Sequence, residues 1–363
     1  MKLFRAILFI AIIIICIPCI ISAQLQRPET NFKIFQFPPN KIPTVDGKTA
    51  DWAIVPDSYA IGTNELIDDS KKFPAPDPKT LDVKVRVGYV KGINRLYFLY
   101  EAYDDYWDFA RTDLHNDTFE LVVDADRSGG PLIDERHPNK EIERWDAFFG
   151  FHGIHAQNYH TFTPAEGKDW TMLWGPQQWL KELPYSNAAY DYNFKPGESG
   201  RLTFEFWITP FDYADPNDPT RSVESKLTEN KIIGMSWAII DYDDVNAKGS
   251  NGFWNLSRKH TMYGNASELV NFKLMPLEPP FRKTIEADWS SQVVDMERRL
   301  VAFKDLSIGK ITSWKWEFGD DKTSTEQNPI HQYEKAGKYF VTLYIEGPDG
   351  KSRRAKVWHV AVK

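Results

Sequence analysis

The text of this chain from Lys33 onward is written in steps of two. Val83-Lys84-Val85-Arg86-Val87-Gly88-Tyr89 alternates, Leu96-Tyr97-Phe98-Leu99-Tyr100 runs apolar, and Lys91-Gly92-Ile93-Asn94 turns between them, which reads as a hairpin. The same grammar recurs at Thr118–Val123, Trp145–Phe151, Leu202–Ile208 and Ile232–Ile240, and no long segment has a helical period. Because successive side chains of a strand point to opposite faces, such text can bury one face only by laying sheet on sheet. An all-β architecture follows, with turn signals at the spacing of antiparallel sandwiches. At 363 residues, 42% apolar and 14% aromatic, the chain can fill more than one core.

Two interruptions divide the text. Between His155 and Asn193 the alternation loosens into a Trp-, Tyr-, Gly- and Pro-rich stretch holding Trp170, Trp174 and Trp179, a long loop-rich insertion of the kind that carries function. At Pro276-Leu277-Glu278-Pro279-Pro280 the adjacent prolines disfavour both helix and central strand. The expected organisation is a leader at 1–23, a sandwich with the insertion at 24–280, and a second, immunoglobulin-like sandwich at 281–363.

The leader has Lys2 and Arg5, an apolar run from Ala6 to Ile21, and Ile21-Ser22-Ala23 before Gln24, the pattern of a cleaved secretory signal rather than a membrane anchor. The expected location is therefore outside the cell or in the envelope, periplasm or outer surface, with no transmembrane segment after cleavage. Cys16 and Cys19 both lie in the leader, so the mature chain would hold no thiol and no disulfide. Lipoprotein acylation at either is the lesser reading, since Ile15 and Pro18 stand where small residues belong. The formal net charge is −7 and there is no basic run, which argues against nucleic acid.

Acids gather at Asp104-Asp105, Asp124-Ala125-Asp126 and Asp241-Tyr242-Asp243-Asp244, each a candidate for a cation or for a solvated turn. Asp124, Asp126 and Ser128, followed by Gly129-Gly130, offer oxygens at alternating positions and are the residues expected to hold a structural calcium ion. A plain Asp/Gly turn is the alternative, because the complete twelve-residue calcium loop is missing. His152, His155 and His160 suggest zinc, yet the first two would face opposite ways in a strand. Met235 or Met262 with a histidine is the pattern haem would need, without any attachment cysteines. No nucleophile elbow, phosphate loop or zinc-protease helix is present.

Sugars in water are held by flat apolar faces plus a few oriented polar groups. Trp52, Trp207 and Trp237 sit in strand-like text and read as core; Trp107, Trp145, Trp170, Trp174, Trp179 and Trp254 stand nearer turns. The candidate ligand-binding set is Trp170, Trp174, Trp179 and Trp145, with Arg144 and Lys168 as partners for an acidic or sulfated sugar.

The second domain carries Trp314-Lys315-Trp316-Glu317-Phe318-Gly319-Asp320-Asp321, then Asn328-Pro329, His331-Gln332-Tyr333 and Gly337-Lys338-Tyr339. This ordered set resembles the PKD domain, with Asp321 where that family usually has Gly. The resemblance implies a rigid immunoglobulin-like spacer or docking module in which His331 is structural. In the first domain, Pro43-Thr44-Val45-Asp46-Gly47 leading to Trp52, Asn116-Asp117-Thr118-Phe119-Glu120-Leu121-Val122-Val123-Asp124, and Gly200-Arg201-Leu202-Thr203-Phe204-Glu205-Phe206-Trp207-Ile208-Thr209-Pro210 resemble in order the family 9 carbohydrate-binding-module-like domains, a DOMON-related group. That resemblance spans about Lys41 to Leu274 and implies a saccharide-binding sandwich.

The function expected is non-catalytic binding of a polysaccharide or oligosaccharide in support of polysaccharide degradation or uptake, with other envelope proteins as partners of the PKD-like domain. The alternatives are a glycoside hydrolase or polysaccharide lyase, for which Glu120 and Glu205 are the conceivable carboxylates, and a protein-binding adhesin.

Overall fold

The computed structural model describes residues 26–130, 146, 150, 152–246 and 248–363. The leader, Arg144 and Trp145 lie outside the described residues; of the stretch 145–151, expected as strand, only Asp146 and Gly150 are described, and both are helical. The chain divides into two compact units, the first ending at Leu277 and the second spanning Glu278–Lys363. Both are built from strands, as the period-two text demands. No helix among the described residues is long and apolar enough to cross a membrane.

The strands of the first unit are β1 (Gln26–Gln36), β2 (Ile61–Gly62), β3 (Leu81–Val90), β4 (Ile93–Asp104), β5 (Thr118–Asp124), β6 (Gln157–Phe162), β7 (Thr171–Leu173), β8 (Ser186–Asp191), β9 (Gly200–Ile208), β10 (Phe211–Tyr213), β11 (Val223–Glu224), β12 (Ile232–Asp241), β13 (Gly252–Asn255) and β14 (Val270–Leu274). Their hydrogen-bonded order is β7-β6-β5-β12-β14-β1-β3-β4-β9-β8, with β13 attached to β12 and β2 to β3. Strand β1 is shared: Asn31–Ile34 run parallel to β14, and Phe35 and Gln36 pair with β3, so it leads from one layer into the other. Ring contacts close the layers on each other, Tyr100 of β4 and Phe206 of β9 lying 5.2 and 6.1 Å from Phe119 of β5.

Parity decides which residues fill the space between the layers. Val83, Val85, Val87 and Tyr89 of β3 are buried, while Asp82 and Lys84 between them are exposed. Phe119, Leu121 and Val123 of β5 meet Phe98, Tyr100, Phe204 and Phe206 in one core, where full burial of each large side chain contributes about 1.5–3 kcal/mol. Trp52, Trp207 and Trp237 are core, as expected. Trp107, which follows a bend as its text suggests, and Trp254, in β13, are buried too, and each indole N–H finds a backbone acceptor, Gly200 O at 3.0 Å and Pro74 O at 2.8 Å.

In the second unit β15 (Trp289–Asp295), β16 (Leu300–Asp305) and β19 (Ile330–Gln332) form one sheet, and β17 (Ser313–Glu317), β18 (Thr323–Ser324), β20 (Gly337–Gly347) and β21 (Gly350–Val362) the other. Trp289, Phe303, Trp316, Phe318 and Tyr333 fill the core between them. His331 stacks on Phe318 at 4.1 Å and its Nε2 lies 2.8 Å from Asp320 Oδ2. Gly319 has φ +81° with a would-be Cβ 2.6 Å from Phe340 O, so a side chain is excluded there. Asp321 takes φ 64°, the left-handed conformation for which glycine is the easier residue.

Candidate functional site

Strand β9 points Glu205 away from the core beneath the Asp46 turn. Its Oε2 accepts from the backbone N–H groups of Asp46, Gly47 and Lys48 at 3.1, 2.8 and 3.0 Å, and its Oε1 accepts from Trp52 Nε1 at 2.7 Å. Gly47 is required there, since at φ +80° a Cβ would sit 2.8 Å from Tyr190 C. Burial still raises the Glu205 carboxyl above its ordinary range despite the four donors. Glu120 stands on the other layer, 2.6 Å from His160 Nδ1, whose Nε2 lies 3.4 Å from Thr118 Oγ1. The two glutamates are thus on different sheets, each engaged by its own partners, and His160 is committed to Glu120. Among the described residues the groups able to gather around a metal contain aspartates alone.

The insertion tryptophans do not form one platform. Trp170 packs against Phe204 and Phe206 at 6.3 and 5.7 Å and donates its indole N–H to Lys181 O. Trp179 packs against Tyr185 and Phe211 at 4.8 and 5.3 Å and donates to Asp215 O. Both lean on the core, whereas Trp174 lies beside His160 at 5.7 Å. Lys168 donates to Phe109 O, Arg111 O and Asn116 Oδ1, so the three hydrogens of its ammonium tie the 109–116 segment together.

At the end of β5, Asp124 is buried, and its carboxylate accepts from the backbone N–H of Ser128 at 3.2 Å and of Gly129 at 2.8 Å. Asp126 is exposed and also accepts from Ser128 N, at 3.0 Å. This is a hydrogen-bonded Asp/Gly turn in which the chain itself supplies the donors. Burial and the adjoining Asp126 side chain push the Asp124 carboxyl up to about 7.

A second acidic group forms at the opposite end of β5. Asp104 ends β4, Asp241 ends β12 and Asp117 directly precedes β5. All three continue the inward-facing register of core residues: Tyr100 and Ala102, Trp237 and Ile239, Phe119 and Leu121. Each is buried and offers a carboxylate oxygen, and these oxygens lie within 4.8 Å of one another; Asp104 also groups with exposed Asp105 and Asp243. Asp104 accepts from Tyr106 N, and Asp117 from Tyr242 N and Asp108 N. Asp241 Oδ1 is buried with no hydrogen-bond partner. Burial, then the neighbouring acids, push Asp104 up to about 8 and Asp241 up to about 7, and raise Asp117 as well.

An open cleft of about 350 Å³ lies beside β13. Phe73, Phe253 and Tyr263 line it with aromatic rings, and Asp68, Ser70, Lys72 and His260 with polar groups. Its walls are stitched from distant segments. Ile67 and Asn255 exchange backbone hydrogen bonds, Asn255 Nδ2 donates to Asp69, and the His260 N–H donates to Asp69 at 2.7 Å. Asp68 accepts from the backbone of Ser70, Lys72 and Phe73, which shapes the facing loop. Gly252 lies under the Trp254 indole, where a Cβ would be 2.1 Å from the ring. None of the lining residues belongs to the set expected from sequence, because the walls are separated by about 180 positions and no local spacing announces their meeting.

Comparison with known proteins reaches the two units unequally. Collagenase ColQ1 of Bacillus cereus (strain Q1) is 48% identical over 48 residues, 13% of this chain and 5% of that protein. The chain thus matches about one-twentieth of the length of the curated relatives. Among solved structures, a family 9 carbohydrate-binding module from Caldicellulosiruptor kristjanssonii in complex with cellotriose covers 68% of this chain and 95% of its own, at 14% identity and TM-score 0.41. The PKD1 domain of the Vibrio cholerae metalloprotease PrtV covers 22% of this chain and 98% of its own, at 28% identity and TM-score 0.20. The family model of the PKD domain matches residues 284–362, and the second unit is a PKD domain.

Proposed function

We propose that the first unit is a non-catalytic binding module for an oligosaccharide segment of a polysaccharide, in an exported protein that supports polysaccharide degradation or uptake, with the PKD domain as spacer or docking module. The observation that carries the reading is the cleft beside β13, where three aromatic rings meet Asp68, Lys72 and His260. Rings contact the C–H faces of a pyranose and the polar groups address its hydroxyls. The volume, about 350 Å³, is at the small end of ligand clefts and suits a short stretch of sugar. A hydrolytic reading needs two available carboxylates on one substrate; Glu205 is occupied by four donors and Glu120 by His160.

The test is a glycan array followed by affinity gels with neutral, acidic and sulfated polysaccharides. Phe253→Ala and Tyr263→Ala are each expected to weaken binding by about threefold to tenfold. A Trp170/Trp174/Trp179 triple alanine variant tests the insertion as the rival location. Retardation lost only in the triple variant, with its fold intact by circular dichroism, moves the site to the insertion; no retardation of the folded wild type by any glycan overturns the reading.

A further inference from the structure

Strand parity puts an acid at the end of the inward row of three separate strands, and the fold then brings the three together where the core of the first unit stops. Asp104 belongs to the layer of β3 and β4, whereas Asp117 and Asp241 belong to the layer of β5 and β12, so the group bridges both layers. Burying a carboxylate without a counter-charge costs several kcal/mol, and three within one contact distance also repel one another. The charges acting on them are all acidic: Asp104, Asp105, Asp241 and Asp243. Backbone N–H groups serve Asp104 and Asp117, but Asp241 Oδ1 is left buried and unpartnered in a residue only 5% exposed.

We infer that Asp104, Asp117 and Asp241 hold a divalent cation of the calcium type, which ties the two layers together at this end of the core, with Asp105 and Asp243 at its solvent side. Calcium bonds oxygen at about 2.3–2.6 Å, so oxygens on opposite sides of one ion stand up to about 5 Å apart, and three within 4.8 Å fit around it. The donors are carboxylate oxygens with no nitrogen or sulfur among them, a set for hard cations rather than zinc or copper. The exposed pair Asp105 and Asp243 gives an entering ion a path and a first attraction.

The test uses the full chain after treatment with EGTA. Calcium chloride at about a hundredfold excess over its Kd is expected to raise Tm by about 5–10 °C, and magnesium chloride by less. Terbium is expected to luminesce when the protein is excited, because Tyr100 lies close enough to feel all three carboxylates. Asp241→Asn should abolish the calcium increment and the terbium signal while leaving Tm in EGTA unchanged or higher. Asp105→Asn/Asp243→Asn, whose sites are exposed, should weaken calcium affinity by about tenfold with the fold undisturbed, and decides the matter if Asp241→Asn does not fold. Asp126→Asn should change none of these. Equal Tm in EGTA and calcium with no terbium signal, a calcium response that survives in Asp241→Asn, or one lost in Asp126→Asn overturns the inference.

Discussion

Strand β5 has an acidic group at each end, and they solve the burial of a carboxylate in opposite ways. After the strand, Asp124 is satisfied by N–H groups four and five residues further on, through a turn that Gly129 and Gly130 make easy at φ +67° and +79°. Before it, Asp117 meets Asp104 and Asp241 from other strands, and Asp241 Oδ1 finds no donor. The first group is complete within one local segment; the second is a long-range assembly of like charges. Locally supplied N–H groups offset the burial of the first carboxylate, whereas converging carboxylates without a donor leave that cost unmet by the chain.

Four substitutions test that contrast. The largest effect belongs to Glu205, which marks the satisfied extreme: Glu205→Ala strands the N–H groups of Asp46, Gly47 and Lys48 and the Trp52 indole, and is expected to cost about 3–5 kcal/mol in urea unfolding. If it costs no more than a surface change, hydrogen-bond satisfaction is not what separates the groups. Asp241→Asn should have the opposite sign in EGTA, since it removes repulsion rather than a partner.

Next comes the pH response of Asp124. Its folded pKa, about 7, lies above the ordinary 3.8, so its contribution is fully present below about pH 4 and is lost as pH rises through 7. Asp124→Asn should therefore flatten the fall in stability between pH 4 and 7, read as the difference from wild type in chemical unfolding; an unchanged slope would remove the burial argument. The smallest effect is expected at exposed Asp126, where Asn should shift stability by no more than about 0.5 kcal/mol.

The β3–β4 hairpin, the inward set of β5 and the core roles of Trp52, Trp207 and Trp237 are legible in the text because alternation is a local property. So is the PKD domain, whose Trp316, Phe318, His331 and Tyr333 stand close in sequence and pack on one another. The candidate sites were less legible. Trp254 reads as a loop aromatic until Pro74, distant in sequence, accepts its N–H. Trp170, Trp179 and Lys168 read as candidate ligand contacts in a loop-rich insertion, and in the fold they donate to backbone carbonyls. The clue available for the acids was parity, since Asp104 and Asp241 each fall on the inward register of an otherwise apolar strand.

Local pattern alone set an all-β chain, the β3–β4 hairpin and the buried faces of β5, β9 and β12, the PKD domain, and the families of acids and aromatics from which sites could be made. These follow from side-chain alternation and turn chemistry, which act over a few residues. Only the tertiary structure decided which acids meet, which indoles are already bonded, and that Phe73, Phe253 and Tyr263 line one cleft. Those outcomes depend on how strands distant in sequence are ordered across two layers, and the cost or gain of burying a polar group is set by the neighbours that order supplies.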